Sequence, residues 1–175
     1  IAYYCTDSII ANNTLKNNGN GIEFYSYCEN LNITGNVITN NVNGIELSSN
    51  CNFNEIRDNQ VYGNTGNGTY LHTDCNNNTI SNNNCSENGA HGISLYNNCM
   101  NNTIEENEVS DNSFGIILIY YCDDNEILGN NGTKNSYGIF ISTKSDENLI
   151  IGNNCSWNGD DGIAAVSYTH LTLPT

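Results

Sequence analysis

Glu46, His72 and Asp74 are the residues whose types and spacing could move a proton. A carboxylate, an imidazole and a second carboxylate within reach of one bond form an acid–base set, and paired carboxylates can cleave glycosides. Asp74 follows His72 by two residues, so one extended strand would carry both on one face. Glu46 lies 26 residues before His72. It joins them only if the chain returns to the same place with a period near that length. A second set is the cysteines. Cys5, Cys28, Cys51, Cys75, Cys99 and Cys122 recur every 23 or 24 residues, and Ser145 takes the next place. Stacked thiols could be inert small core groups, inter-coil disulfides, or soft ligands for Cu(I). A third set, Asp123, Asp124, Asp146 and Glu147, offers the hard oxygens that Ca2+ takes, or simply a solvated acidic turn.

All three sets depend on a repeat, and the chain carries one. Glycines fall at Gly21, Gly44, Gly68, Gly92, Gly115, Gly138 and Gly162, with spacings of 23, 24, 24, 23, 23 and 24 residues. An Ile follows each except Gly68, and a second apolar residue comes two places later: Phe24, Leu47, Leu71, Leu95, Leu118, Ile141. Such alternation is a short strand with one buried face. Twelve residues after each Gly stands Ile33, Ile56, Ile80, Ile104, Ile127 or Ile150. Three further on is an unbroken Asn column, Asn13 to Asn153, and five beyond that a second, Asn18 to Asn158. The one-residue slack lies between this second Asn and the next Gly, which marks a turn.

Each unit thus predicts three short strands and no way to bury its apolar stripe alone. Stacking coils at about 4.8 Å sets Ile on Ile and Asn on Asn. The fold expected is all-β: a right-handed, single-stranded parallel β-helix of about seven coils over residues 1–165. Leucine-rich repeats need a Leu consensus that is absent, and calcium-binding β-rolls need nonapeptides that do not occur.

In that register the outward side chains of the first strand form a strip rich in rings and polar groups. Glu23, Tyr25, Tyr27, Tyr70, His72, Tyr96 and Tyr121 are its candidate ligand-binding residues. An aromatic ring offers an apolar face beside polar edges, as a sugar does. β-Propensity alone would also place Tyr on an exposed strand.

Composition narrows the partners. With 19 acidic against 4 basic residues the formal charge is −15, which argues against nucleic acid and against unaided binding of anionic polymers. No apolar run approaches the ~20 residues of a membrane-spanning helix. Residues 166–175, VSYTHLTLPT, break the pattern and hold the single Pro. They resemble the translation of a sequencing adapter and are read as a non-native tail, with flanking coils or domains expected beyond 1–165.

The recurring G-I-x-L…N-x-I-x-x-N-x-I-x-x-N text, as in NGIELSSNCNFNEIRDNQVYGN, resembles the parallel β-helix repeat of the NosD and pectate-lyase-like superfamily. That resemblance implies the fold and three candidate roles. They are a secreted, cell-surface or periplasmic scaffold binding a polysaccharide or other glycan, part of a polysaccharide-active enzyme, and a NosD-like copper-handling accessory. It also implies saccharide clefts along the first-strand sheet. Lyases of this kind use Arg or Lys on the uronate, and the chain has few. GAHGI around His91 and GDDGI around Asp160 and Asp161 echo polygalacturonases, but in reversed order and three coils apart. Both are read as turn residues. The expectation is a non-catalytic scaffold with no cofactor, Ca2+ being the ion its acidic turn could take.

Overall fold

The protein, seen in a computed structural model that describes residues 1–166 and 171–172, is a parallel β-helix. Three parallel sheets form its walls. The first sheet runs β3 (Asn20–Tyr25), β6 (Asn43–Ser48), β9 (Thr69–His72), β11 (His91–Tyr96), β13 (Phe114–Ile119), β15 (Tyr137–Ser142) and β17 (Ile163–Val166). The second runs β1 (Ile9–Ala11), β4 (Asn32–Thr34), β7 (Glu55–Arg57), β10 (Thr79–Ser81), β12 (Thr103–Glu105), β14 (Glu126–Leu128), β16 (Asn148–Ile151) and β18 (Leu171–Thr172). The third holds β2 (Thr14–Lys16), β5 (Val37–Thr39) and β8 (Gln60–Tyr62). It continues as single bridges through Asn84, Glu108, Asn131 and Asn154. Every strand pairs one coil away in the register the repeat predicts, for example Ile33↔Ile56 and Leu95↔Leu118. Of the stretch read as a tail, residues 167–170 and 173–175 lie outside the described residues.

The core is the predicted Ile, Leu, Val and Cys columns, nearly all fully buried. Full burial of one such side chain is worth roughly 1.5–3 kcal/mol. Thr69, which replaces Ile in its column, is buried too, and its hydroxyl meets the Cys85 thiol at 3.4 Å. The glycines are required by contact. A Cβ on Gly68, Gly92 or Gly115 would stand 2.6 Å from the carbonyl oxygen of the next coil's glycine.

The Asn columns are hydrogen-bonded ladders. Asn59 donates its backbone N–H and its Nδ2 to Asn83 Oδ1 at 3.0 and 2.9 Å, while the same Nδ2 donates to Ile33 O at 2.8 Å. A third ladder, Asn54, Asn78, Asn102, Asn125 and Asn148, does the same work at the turn before the second sheet. Sequence reading missed it because Leu31 occupies the column's place in an early coil. Its Asn side chains are all buried, where an unpaired amide would cost more than a bond gains.

Candidate functional site

The outward face of the first sheet is built from three columns, at positions one before the glycine and two and four after it. The residue before glycine opens the strand. His91 is therefore not a turn residue, as its place in GAHGI suggests: it begins β11 and pairs in register with Phe114. Asn20, Asn43, Asn67, His91, Phe114 and Tyr137 thus join the face, which strand counting from the glycine overlooks.

The strand ends four residues after glycine. The next two residues are both left-handed in the six coils from β3 to β15, for example Thr73 (φ 61) with Asp74 (φ 62), and Tyr120 (φ 64) with Tyr121 (φ 59). Each left-handed residue costs roughly 1–2 kcal/mol, offset by backbone hydrogen bonds from coil to coil, such as Thr73 N–H to Tyr96 O at 3.0 Å. This turn corrects the strip. Tyr27, Asp74 and Tyr121 leave the flat face and stand on its border, because two left-handed residues end the alternation that would have kept them on it.

At the acidic end, register pairs Glu23 with Glu46 and Glu46 with Tyr70. Glu46 Oε1 accepts from His72 Nε2 at 3.1 Å, and Oε2 accepts from Asn20 Nδ2 at 2.8 Å and Asn43 Nδ2 at 2.9 Å. The pair is largely covered, with side chains 14% and 21% exposed for Glu46 and His72. The His72 hydrogen bond, aided by the two amides, holds the Glu46 carboxyl below its ordinary range. His72 Nδ1 meets Thr73 Oγ1 at 3.3 Å, so both ring nitrogens have partners. Tyr70 stacks on His72 with centroids 4.6 Å apart, and burial, with Glu46 second, pushes its phenol up to about 12. Asp74 does not reach this group; it accepts a hydrogen bond from Asn98 Nδ2. The structure brings Glu46 to His72 as the period predicts, and separates Asp74 from them.

At the other end the face is aromatic. Phe114 stacks on Tyr137 at 5.1 Å, and Phe140 packs edge-on against both. His91 meets Phe114 edge-on, and burial lowers its pKa below the ordinary imidazole value. Tyr25 and Tyr96 are exposed along one edge and make ring contacts with Tyr3 and Tyr120.

The thiol column lies beneath the left-handed turn. All eight cysteines are free, and Cys28, Cys51, Cys75, Cys99 and Cys122 are fully buried. Each of the last four donates its S–H to the carbonyl three residues earlier, as Cys51 to Ser48 O at 3.1 Å and Cys99 to Tyr96 O at 3.4 Å. Ser145 does the same with its hydroxyl, to Ser142 O at 2.9 Å. The column caps strand ends, and a serine serves as well as a cysteine. Burial pushes the Cys99 thiol well above its ordinary range.

In the acidic turn, Asp123 Oδ1 accepts the Asp146 N–H at 2.7 Å, as Asn52 Oδ1 accepts that of Asn76 three coils earlier. Asp124 and Glu147 are exposed. Among the described residues no three His, Cys, Asp or Glu side chains are grouped as a metal site would need.

A family model described as "Periplasmic copper-binding protein (NosD)" matches residues 1–164. The chain belongs to the NosD family. No curated protein matches it. Among solved structures it is similar to the periplasmic alginate epimerase AlgG, at 26% identity and TM-score 0.82 over 94% of this chain and 38% of that one. A double mutant of AlgG superposes at TM-score 0.90 with 21% identity over 97% of this chain and 45% of that one. The A-module of the Azotobacter vinelandii mannuronan C-5 epimerase AlgE6 gives TM-score 0.69 at 16% identity, over 97% and 59%. This NosD-family chain spans less than half the length of the AlgG chains it matches. The match to AlgG, a right-handed parallel β-helix, agrees with the hand expected from the sequence. Copper does not fit the thiol column: Cys28, Cys51, Cys75, Cys99 and Cys122 are closed to solvent, and the last four are engaged as donors to backbone carbonyls, a form in which sulfur is no ligand.

Proposed function

We propose that the chain is an extracytoplasmic β-solenoid scaffold that binds a polysaccharide across the outward face of its first sheet. The observation that carries this reading is the run of rings on that face and its edge: Tyr25, Tyr70, Tyr96, Phe114, Tyr137 and Phe140 supply at least one ring in most coils. Rings one coil apart are about 4.8 Å apart along the axis, and between them stand fixed polar groups, the pairing of apolar faces and directed hydrogen bonds that a sugar polymer needs. The periplasmic location in the names of the family and of AlgG supports a place outside the cytoplasm, secreted or at the surface.

Binding without turnover is supported by the state of the acid–base candidates. Glu46 accepts three hydrogen bonds, both His72 nitrogens are engaged, and Asp74 faces Asn98. A general base needs a free lone pair aimed at substrate, and His72 presents none. The test is affinity electrophoresis of the full chain through gels cast with a panel of polysaccharides, with Tyr25→Ala and Tyr96→Ala beside it. Retardation that weakens in the variants, with the gel polymer intact, is the expected result. Cleared polymer or new chain ends would show an enzyme instead.

A further inference from the structure

We infer that the polymer this face takes is uncharged, and that polyuronates are rejected; the inference rests on the glycan-binding reading above and names its substrate class. It comes from where the charges stand. Glu23 and Glu46 lie side by side on the face in adjacent coils, and Asp74 borders it one coil on. Glu46 is fixed by three donors, so it cannot swing away from an approaching anion.

Apart from the His72 imidazole already on Glu46, no lysine or arginine among the described residues answers them. Arg57 is on the second sheet, bound to Glu55 at 3.1 Å and Asp58 at 2.8 Å. Lys16 ends β2 in the third sheet, and Lys134 is an exposed turn residue. Lys144 stands on the border turn at the far aromatic end, donating to Tyr121 OH at 3.3 Å with its ammonium 5.3 Å from that ring's centroid. A polyuronate laid along the axis would bring its carboxylates within about a Debye length of Glu23 and Glu46 where it crosses the acidic end of the face, over a chain of net charge −15. A neutral polymer meets the same rings and amides without that repulsion. AlgG and AlgE6 carry alginate and mannuronan, both uronate polymers, in their names, so the shared fold here holds a face of opposite electrostatic preference.

The experiment is the same electrophoresis at low ionic strength in four gels: galactomannan, xyloglucan, hydroxyethyl cellulose and alginate. Retardation by at least one neutral polymer, with an apparent affinity for alginate at least roughly tenfold weaker, is expected. Alginate retarding the protein as strongly as the best neutral polymer overturns this inference and leaves the glycan-binding reading standing. No retardation in any gel overturns that reading itself. A double variant, Glu23→Gln with Glu46→Gln, is expected to gain alginate binding relative to the best neutral polymer. If it stays excluded from alginate with an unchanged circular dichroism spectrum, these carboxylates are not the cause. Glu23→Gln alone, outside the His72 network, repeats the test should the double variant fail to fold.

Discussion

Replacing Asn83 by alanine in the middle of a ladder removes five hydrogen bonds at one stroke. Asn83 Oδ1 accepts from the Asn59 N–H and Nδ2 at 3.0 and 2.9 Å. Its Nδ2 donates to Ile56 O at 2.8 Å, Ser81 O at 3.0 Å and Asn107 Oδ1 at 3.1 Å. Some partners keep another bond: Asn59 Nδ2 still reaches Ile33 O, and Asn107 Oδ1 still accepts the backbone N–H of residue 83. The Asn59 N–H loses its acceptor, Asn83 Oδ1. Asn59 is fully buried and Asn83 is 1% exposed, so water does not replace the lost acceptor. An orphaned buried donor costs about 1–3 kcal/mol and each further lost bond about 1 kcal/mol net. Because several partners remain paired, the expected loss is about 3–5 kcal/mol, a large share of a typical 5–15 kcal/mol stability. Urea unfolding followed by far-ultraviolet circular dichroism measures it. Hydrogen exchange should place the weakening in the coils of Asn59, Asn83 and Asn107, since a solenoid couples nearest neighbours. The neighbouring Asn84→Ala, which loses a surface bond to Gln60 Oε1 at 3.3 Å and one from the Ser86 N–H at 3.2 Å, should lose less, about 1–2 kcal/mol. A loss at Asn83 as small as that at Asn84 would refute the ladder as a main source of stability.

Two glycines should respond oppositely to alanine. At Gly92 the new Cβ meets Gly115 O at 2.6 Å and Asn112 Nδ2 at 2.9 Å, and thermal melting should show a loss of about 2 kcal/mol or more. At Gly132 its nearest neighbours stand at 3.4 and 3.5 Å, and a gain of about 0.5–1 kcal/mol is expected from the less flexible unfolded chain. The Glu46 carboxyl, held below its ordinary value by His72, adds stability that is fully present above the unfolded pKa and is lost as pH falls through the folded one. The melting-temperature gap between the wild-type protein and Glu46→Gln should therefore close on acidification into that range; a gap constant with pH would contradict the assignment.

The solenoid was legible because its columns repeat one side-chain type at each place where one geometry is tolerated. Gly92 and its column stand where any Cβ meets the next coil's carbonyl, and Asn83 and its column where one amide must both donate and accept along the stack. The Glu46–His72 contact followed from that period. What escaped was held by backbone rather than by residue type. The left-handed pairs are Ser26–Tyr27, Thr73–Asp74 and Tyr120–Tyr121 in different coils, with no glycine to announce them, because backbone hydrogen bonds fix the turn whatever the side chain. The column holding Asn43, His91 and Phe114 was hidden for a related reason. It lies on the far side of the glycine, where varied residues and a variable spacing read as loop.

The ladders also have a direction. In every rung of the three buried Asn ladders the backbone N–H of one coil, joined in most rungs by the side-chain amide, points to the Oδ1 of the coil that follows it in sequence, never to the one before. The columns are therefore one-way streets for assembly: a coil leaving the ribosome remains a set of waiting donors until its successor is made. Synthesis from the N-terminus closes the stack behind the growing end, one coil in arrears. The nascent chain thus carries a single moving front of unsatisfied groups rather than an open surface along its length, and the polarity of translation matches the polarity of the hydrogen bonds.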